Sequence, residues 1–178
     1  GINLSQLDGI VFGRGPGSFT GVRIGVGVTQ GLAFGADLPV YGVSTLVAMA
    51  QAAQRLHCAT QVIAAIDARM AEVYIGRFLL QNGLMQAETE ELALKPAALS
   101  AFNLSGEVYA VGTGWQTYAN ELLQQQAAII AADILYPSAQ DMLTLALPAL
   151  QAGNFIAAQY AEPVYVRDEV TWQKLPGK

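Results

Sequence analysis

The segment Gly13 to Gly25, GRGPGSFTGVRIG, places five glycines and a proline at the entrance to a run that reads as a helix. A turn so poor in side chains feeds a helix expected from about Ser18 to Gly35, with Ser18 as its capping hydroxyl. At 100° per residue, Gly21, Gly25, Gly27, Gly31 and Gly35 fall within an arc of about 160°. Each interior glycine costs about 0.5–1 kcal/mol relative to alanine, so the helix gives up several kcal/mol along its length. Close approach of another backbone is the return that such a pattern implies. The neighbour is either the chain's own sheet or a second helix, and the spacing alone does not choose. Val22, Val26, Thr29 and Ala33 form the opposite face, again without charge, so burial on both faces and a partner chain are expected.

Glycine-rich turns before helices also hold phosphates, and that reading competes. A Walker loop requires G-x-x-x-x-G-K-[ST], and no lysine stands in this region. The dinucleotide fingerprint fails because Ser18 occupies the place of its third glycine. Arg14 and Arg23, with the amides of Ser18 to Thr20, keep an anion site as the weaker alternative.

Charge is scarce beyond the glycine stretch as well. From Ile24 to Gln54 the only charged side chain is Asp37. The whole chain of 178 residues is 13% charged, where about 25% is usual. Gly35, Asp37 and Pro39 break the uncharged run into pieces shorter than the roughly 20 residues of a membrane span. A net charge of -5 with no run of Lys or Arg argues against unaided binding to nucleic acid or an anionic membrane. The single cysteine, Cys58, excludes an internal disulfide and suits a reducing, cytoplasmic setting.

The order of elements is expected to be βαβα and then βββαβαβα. Asp8 to Gly13 and Leu38 to Val43 read as buried strands around the glycine helix. Ser44 caps a second helix to about Leu56, with Leu46, Met49, Ala50 and Ala53 on one face. Val62 to Asp67, Glu72 to Leu80 and Leu84 to Leu92 read as three strands, the last two joined by the hairpin signal Asn82-Gly83. Pro96 opens a short helix, Val108 to Val111 is a strand, and Trp115 to Ala127 a helix. Ile134 to Tyr136 reads as a strand, Ser138 caps a helix to about Ala152, and Pro163 to Arg167 adds a last strand. The first half repeats only the closing βαβα of the second. The expectation is therefore an α/β protein of two lobes, residues 1–58 and 59–178, whose first lobe lacks its opening strands.

Several uncommon strings now fall in one order: GRGPGSFTGVRIG, GVSTL (Gly42 to Leu46), AAIDARMAEVY (Ala64 to Tyr74), VGTGW (Val111 to Trp115) and AEPVYVR (Ala161 to Arg167). In these strings the chain resembles the bacterial TsaB family, formerly called YeaZ, over essentially its whole length. The resemblance implies the actin/Hsp70-like, ribonuclease H-like two-lobe architecture, with an N-terminal strand-rich opening that is absent here. It implies a non-catalytic partner of the paralogue TsaD, which with the ATPase TsaE transfers threonylcarbamoyl to an adenosine beside the tRNA anticodon. ATP and metal are then expected on the partner subunits, with no cofactor on this chain alone. A homodimer is expected when the chain is alone, and tRNA contact only through the complex. In such proteins the first-lobe helices form the contact surface. Carried onto this sequence, the partner-binding set is Ser18, Gly21, Val22, Gly25, Val28, Thr29, Gly31, Leu32, Gly35, Leu46 and Met49.

Catalysis by the chain itself has little to draw on. The one histidine, His57, sits at a helix end beside Cys58, without the spaced ligands a metal needs. A peptidase would have to use that same histidine, and no G-x-S-x-G elbow occurs. An autonomous actin-like ATPase is the stronger competitor. Asp67 and Glu72 flank the turn that faces phosphates in such folds, although Asp67 with Arg69 reads first as a turn-stabilising pair. Gly112 to Trp115 resembles an adenosine-carrying turn, or is simply a strand-to-helix turn. Glu88 to Glu91 reads as a solvated edge strand, and Trp172 with the closing residues as a tail.

Overall fold

The computed structural model describes residues 3–101, 105–122 and 128–167. Strand β1 (Ile10–Gly15) runs through the glycine-rich turn into α1 (Phe19–Ala36), and the chain returns along β2 (Val40–Ser44) parallel to β1. Ser18 caps α1, its hydroxyl accepting from Gly21 N at 3.5 Å. Asp37 ends the helix in the left-handed conformation (φ 53°) and returns its N–H to the last turn. Ser44 caps α2 (Thr45–His57) in the same way, accepting from Leu46 N at 3.1 Å.

The second sheet is built from β3 (Gln61–Asp67), β4 (Val73–Gln81), β5 (Leu84–Ala87), β6 (Leu92–Leu94), β7 (Glu107–Val111) and β8 (Ala128–Ala131). Its order is β5-β4-β3-β7-β8, with β6 sharing the edge of β4 beyond β5. β3 and β4 are antiparallel, whereas β7 and β8 join β3 in parallel. Two one-turn helices, α3 (Gly114–Thr117) and α4 (Ala119–Leu122), follow β7, and α5 (Ala139–Gln151) closes the series. Short 3-10 turns lie at Leu4–Gln6, Pro96–Ala101 and Ala158–Tyr160. No helix among the described residues is long and apolar enough to cross a membrane.

Helix α2 is the pivot of the packing. Leu46, Met49, Ala50 and Ala53 have no exposed surface and pack with Val62, Ala64, Phe78 and Met85 of the second sheet. Ala48 turns the other way, to Val43 of β2 and Ala146 of α5. The buried Gln51 accepts from Met85 N at 2.8 Å, which pins α2 to β5. Arg55 grips the fully buried carboxylate of Asp141 on α5 with two bonds of 2.8 and 2.9 Å.

Five expectations need correction. The strand expected at Ile134 to Tyr136 is instead β8, six residues earlier, which pairs Ile129 and Ile130 with Val108 and Tyr109. The alanines around those isoleucines mimic a helix end, while Ile134 is turned inward and accepts from Gly112 N at 2.7 Å. The expected strand from Leu84 to Leu92 divides into β5 and β6, with regular pairing interrupted after Glu88, whose N–H still donates to Arg77 O of β4 at 2.9 Å. Residues 163–167 form no strand; they cross the surface as an extended segment. The helix expected from Trp115 is broken at Tyr118, and its remainder from 123 to 127 lies outside the described residues, as does Trp172. Ser138 begins α5 without a side-chain capping bond.

Candidate docking face

Helix α1 divides its surface sharply. Val26, Thr29 and Ala33 are buried and pack over β1 and β2 with Phe12 and Val40. Thr29 satisfies its hydroxyl within the helix, donating to Gly25 O at 2.9 Å. The outer side has no cover. A Cβ added at Gly25, Gly27, Gly31 or Gly35 would meet nothing within 4 Å. Ile24 (61%), Val28 (56%), Leu32 (46%) and Phe34 (80%) stand exposed among these glycines. Within this chain one face of the helix is covered and the other is bare. Large apolar side chains gathered on one open stripe are the usual mark of an interaction surface.

The residues expected to meet a partner separate into three groups. Gly21, Gly25, Val28, Gly31, Leu32 and Gly35 lie on the open stripe, and Ser18 is exposed at its N-terminal end. Val22 and Thr29 face the sheet. Leu46 and Met49 are fully buried beneath the second sheet and have no surface to offer. Their apolar periodicity was legible, but periodicity does not say what covers a face. Phe19, Ile24 and Phe34 were missed. The same 100° projection that aligned the glycines puts Ile24 between Gly31 and Gly35.

Arg23 is the one charged side chain on α1, and it does not stand ready for an anion. Its guanidinium lies 3.3 Å from the centre of the Phe19 ring and 4.8 Å from that of Tyr165, and it donates to Phe19 O at 3.3 Å.

On the second sheet, Asp67 does stabilise the turn that follows it, accepting from the backbone N–H of Arg69 at 3.0 Å and from the Tyr118 hydroxyl at 3.4 Å. Burial, with Asp67 close by, pushes the Tyr118 phenol above its ordinary pKa. Glu72 pairs with Arg167 rather than turning toward Asp67. Thr113 accepts from Asp67 N at 3.4 Å, so the Gly112 to Trp115 turn is tied to the end of β3. His57 stacks on Tyr109 with ring centres 5.7 Å apart. Among the described residues no three His, Cys, Asp or Glu side chains gather as a metal site.

Glu91 departs from the solvated-edge expectation. It leaves its acidic neighbours and reaches the first sheet, where the Ser44 hydroxyl donates to its carboxylate. Burial raises its pKa above the usual carboxylate range, against the opposing pull of the Ser44 bond and Arg14. Folding therefore favours the protonated form, and this contribution to stability is present below the unfolded pKa and lost as pH rises through the folded value. Glu91→Gln keeps an acceptor for Ser44 without the buried charge. It is expected to melt above the parent at pH 8, by a margin that shrinks as pH falls toward 4 in parallel thermal melts.

A family model described as "TsaD: tRNA N6-adenosine threonylcarbamoyltransferase" matches residues 1–174. The Escherichia coli protein named "tRNA threonylcarbamoyladenosine biosynthesis protein TsaB" is 48% identical over all of this chain and 78% of its own length. Its Haemophilus influenzae namesake is 43% identical over the same shares. Among solved structures, YeaZ from Pseudomonas aeruginosa superposes with a TM-score of 0.83 at 45% identity, covering 92% of this chain and 76% of that one. A second structure, described as similar to peptidase YEAZ from the same organism, gives 0.84 at 44% identity, with 93% and 76% covered. The open α/β architecture is shared with both.

Proposed function

The chain belongs to the TsaB family, and from that premise we propose that it is a non-catalytic partner subunit in tRNA threonylcarbamoyladenosine biosynthesis. Its task in this reading is to dock the catalytic paralogue TsaD through the open stripe of α1, and with TsaD the ATPase TsaE. ATP, metal and tRNA belong to the assembled complex, whose setting is the cytoplasm. Residues 1–58 and 59–178 serve as the two lobes, α5 reaching back across the first.

One observation carries the proposal. Among the described residues α1 is the longest helix, and its uncovered side presents glycines and large apolar residues with no charge beyond Arg23. A glycine-lined groove admits another helix at short range, so that ridges of Ile24, Val28 and Leu32 interdigitate with the partner's. The match of residues 1–174 to a TsaD model supports a partner of the same fold, able to offer an equivalent helix. In the absence of TsaD a second copy of this chain meets the same stripe.

Size-exclusion chromatography with light scattering tests this directly. The chain alone is expected at twice its 18.8 kDa mass, and with TsaD as a one-to-one complex. A mass of a single chain under both conditions overturns the proposal.

A further inference from the structure

Residues 161–167 make contacts that neither sheet needs for its own completion. At one end Ala161 is buried beside Val26 and Ala33, and its carbonyl accepts from Gln30 Nε2 of α1 at 3.0 Å. Val164 N donates to Arg14 O at the end of β1 at 2.8 Å. Tyr165 closes the stack on Arg23 and Phe19 at the N-terminal end of α1. At the other end Arg167 reaches the β3–β4 turn of the second sheet. It donates to Ala68 O at 3.3 Å, pairs with the Glu72 carboxylate and lies 3.7 Å from Met70 Sδ.

That turn is under strain. Arg69, Met70 and Ala71 have φ values of 63°, 56° and 56°, three consecutive non-glycine residues in the left-handed region. Each such residue costs about 1–2 kcal/mol, so the conformation persists only where its surroundings enforce it. Within the turn, Ala68 N donates to Glu72 O at 2.9 Å and Glu72 N to Arg69 O at 3.1 Å. Asp67 adds the bond that it accepts from Arg69 N, and Arg167 supplies a further constraint from outside the turn.

We propose that residues 161–167 are a strap coupling the Phe19–Arg23–Tyr165 stack on α1 to the strained 68–71 turn, with Arg167 as its latch. The inference rests on the docking role of α1 for its purpose: a chain seated on the stripe closes over the stack, holds Tyr165 in place and tightens the turn. The strap itself stands on this chain's contacts alone. Coupling of this kind needs contiguous contacts and an element with two arrangements, here the turn held or released.

Hydrogen exchange of the full chain without a partner tests the strap. Arg167→Gln removes the latch, whereas Arg23→Gln and Tyr165→Ala cut the strap at the α1 end, far from the turn in the chain of contacts. All three are expected to speed exchange of the Ala68 and Glu72 amides about fivefold or more, while amides of α2 keep their rates. Faster exchange in Arg167→Gln alone reduces Arg167 to a local prop and overturns the coupling; no change in any variant overturns the strap. With TsaD added, the same amides are expected to slow in the parent chain and not in Arg167→Gln. Binding without slowing also overturns the coupling. Absence of binding overturns the docking role of α1 instead, and leaves the partner-free comparison to decide the strap.

Discussion

Replacing Gly25 and Gly31 together by leucine is expected to raise the melting temperature and abolish the complex. Both positions have ordinary helical backbone, and an added Cβ at either meets nothing within 4 Å in the chain itself. Leucine is a better helix former than glycine by roughly 0.8 kcal/mol, so the pair adds about 1.5 kcal/mol of stability. For a chain of this size that is a rise of roughly 3–6 °C. At the interface the sign reverses. Two isobutyl groups in the groove push the partner's backbone away and break the interdigitation of Ile24, Val28 and Leu32. A loss of affinity of at least a hundredfold, about 2.7 kcal/mol, is expected by isothermal calorimetry with TsaD. Unchanged affinity in a variant of raised melting temperature removes α1 from the docking role, since misfolding is then no explanation.

Gly112→Ala is expected to be the most destructive single substitution in the molecule. Gly112 has a φ of 98°, where L side chains pay a left-handed penalty. Its added Cβ falls 2.2 Å from Ala65 O, a backbone atom of β3 that cannot rotate aside, and 3.3 Å from Met49 Cε on α2. Relief requires β7 to move from β3, whose pairing with Tyr109 to Val111 ends at this turn. The combined cost is about 4 kcal/mol or more, a drop in melting temperature of roughly 10 °C or beyond. Gly114→Ala supplies the calibration: its Cβ meets Ala65 at 3.0 Å with no positive φ, so it is expected to fall between Gly112→Ala and the parent. Thermal melts by circular dichroism that place Gly112→Ala within 2 °C of the parent refute this account of the turn.

Much of this architecture was legible in the sequence where a local rule and the global fold agree. Ser18 and Ser44 mark the starts of α1 and α2 because a capping hydroxyl acts within three residues of its target. The Asn82-Gly83 hairpin is local for the same reason. What failed was non-local. The apolar face of α2 was visible in Leu46 and Met49, but only the folded second sheet decides that it is core. The glycine arc of α1 was visible too, yet the same spacing suits contact with the chain's own sheet or with a second chain. β8 was hidden because alanines surround Ile129 and Ile130, and alanine favours a helix until an edge strand stands beside it. Glu91 sat inside an acidic run whose composition says solvent, and its bond to Ser44 joins positions 47 apart in sequence.

The setting of α2 has a consequence for how the molecule tolerates change. One rod supplies Leu46 and Met49 to the second sheet and Ala48 to the first, so the two sheets share a wall of their interiors. Damage on either side is felt on the other, and the two are bound to a common fate in unfolding. α1 bears no such double duty on its outer flank, where a change of side chain asks nothing of the fold beneath.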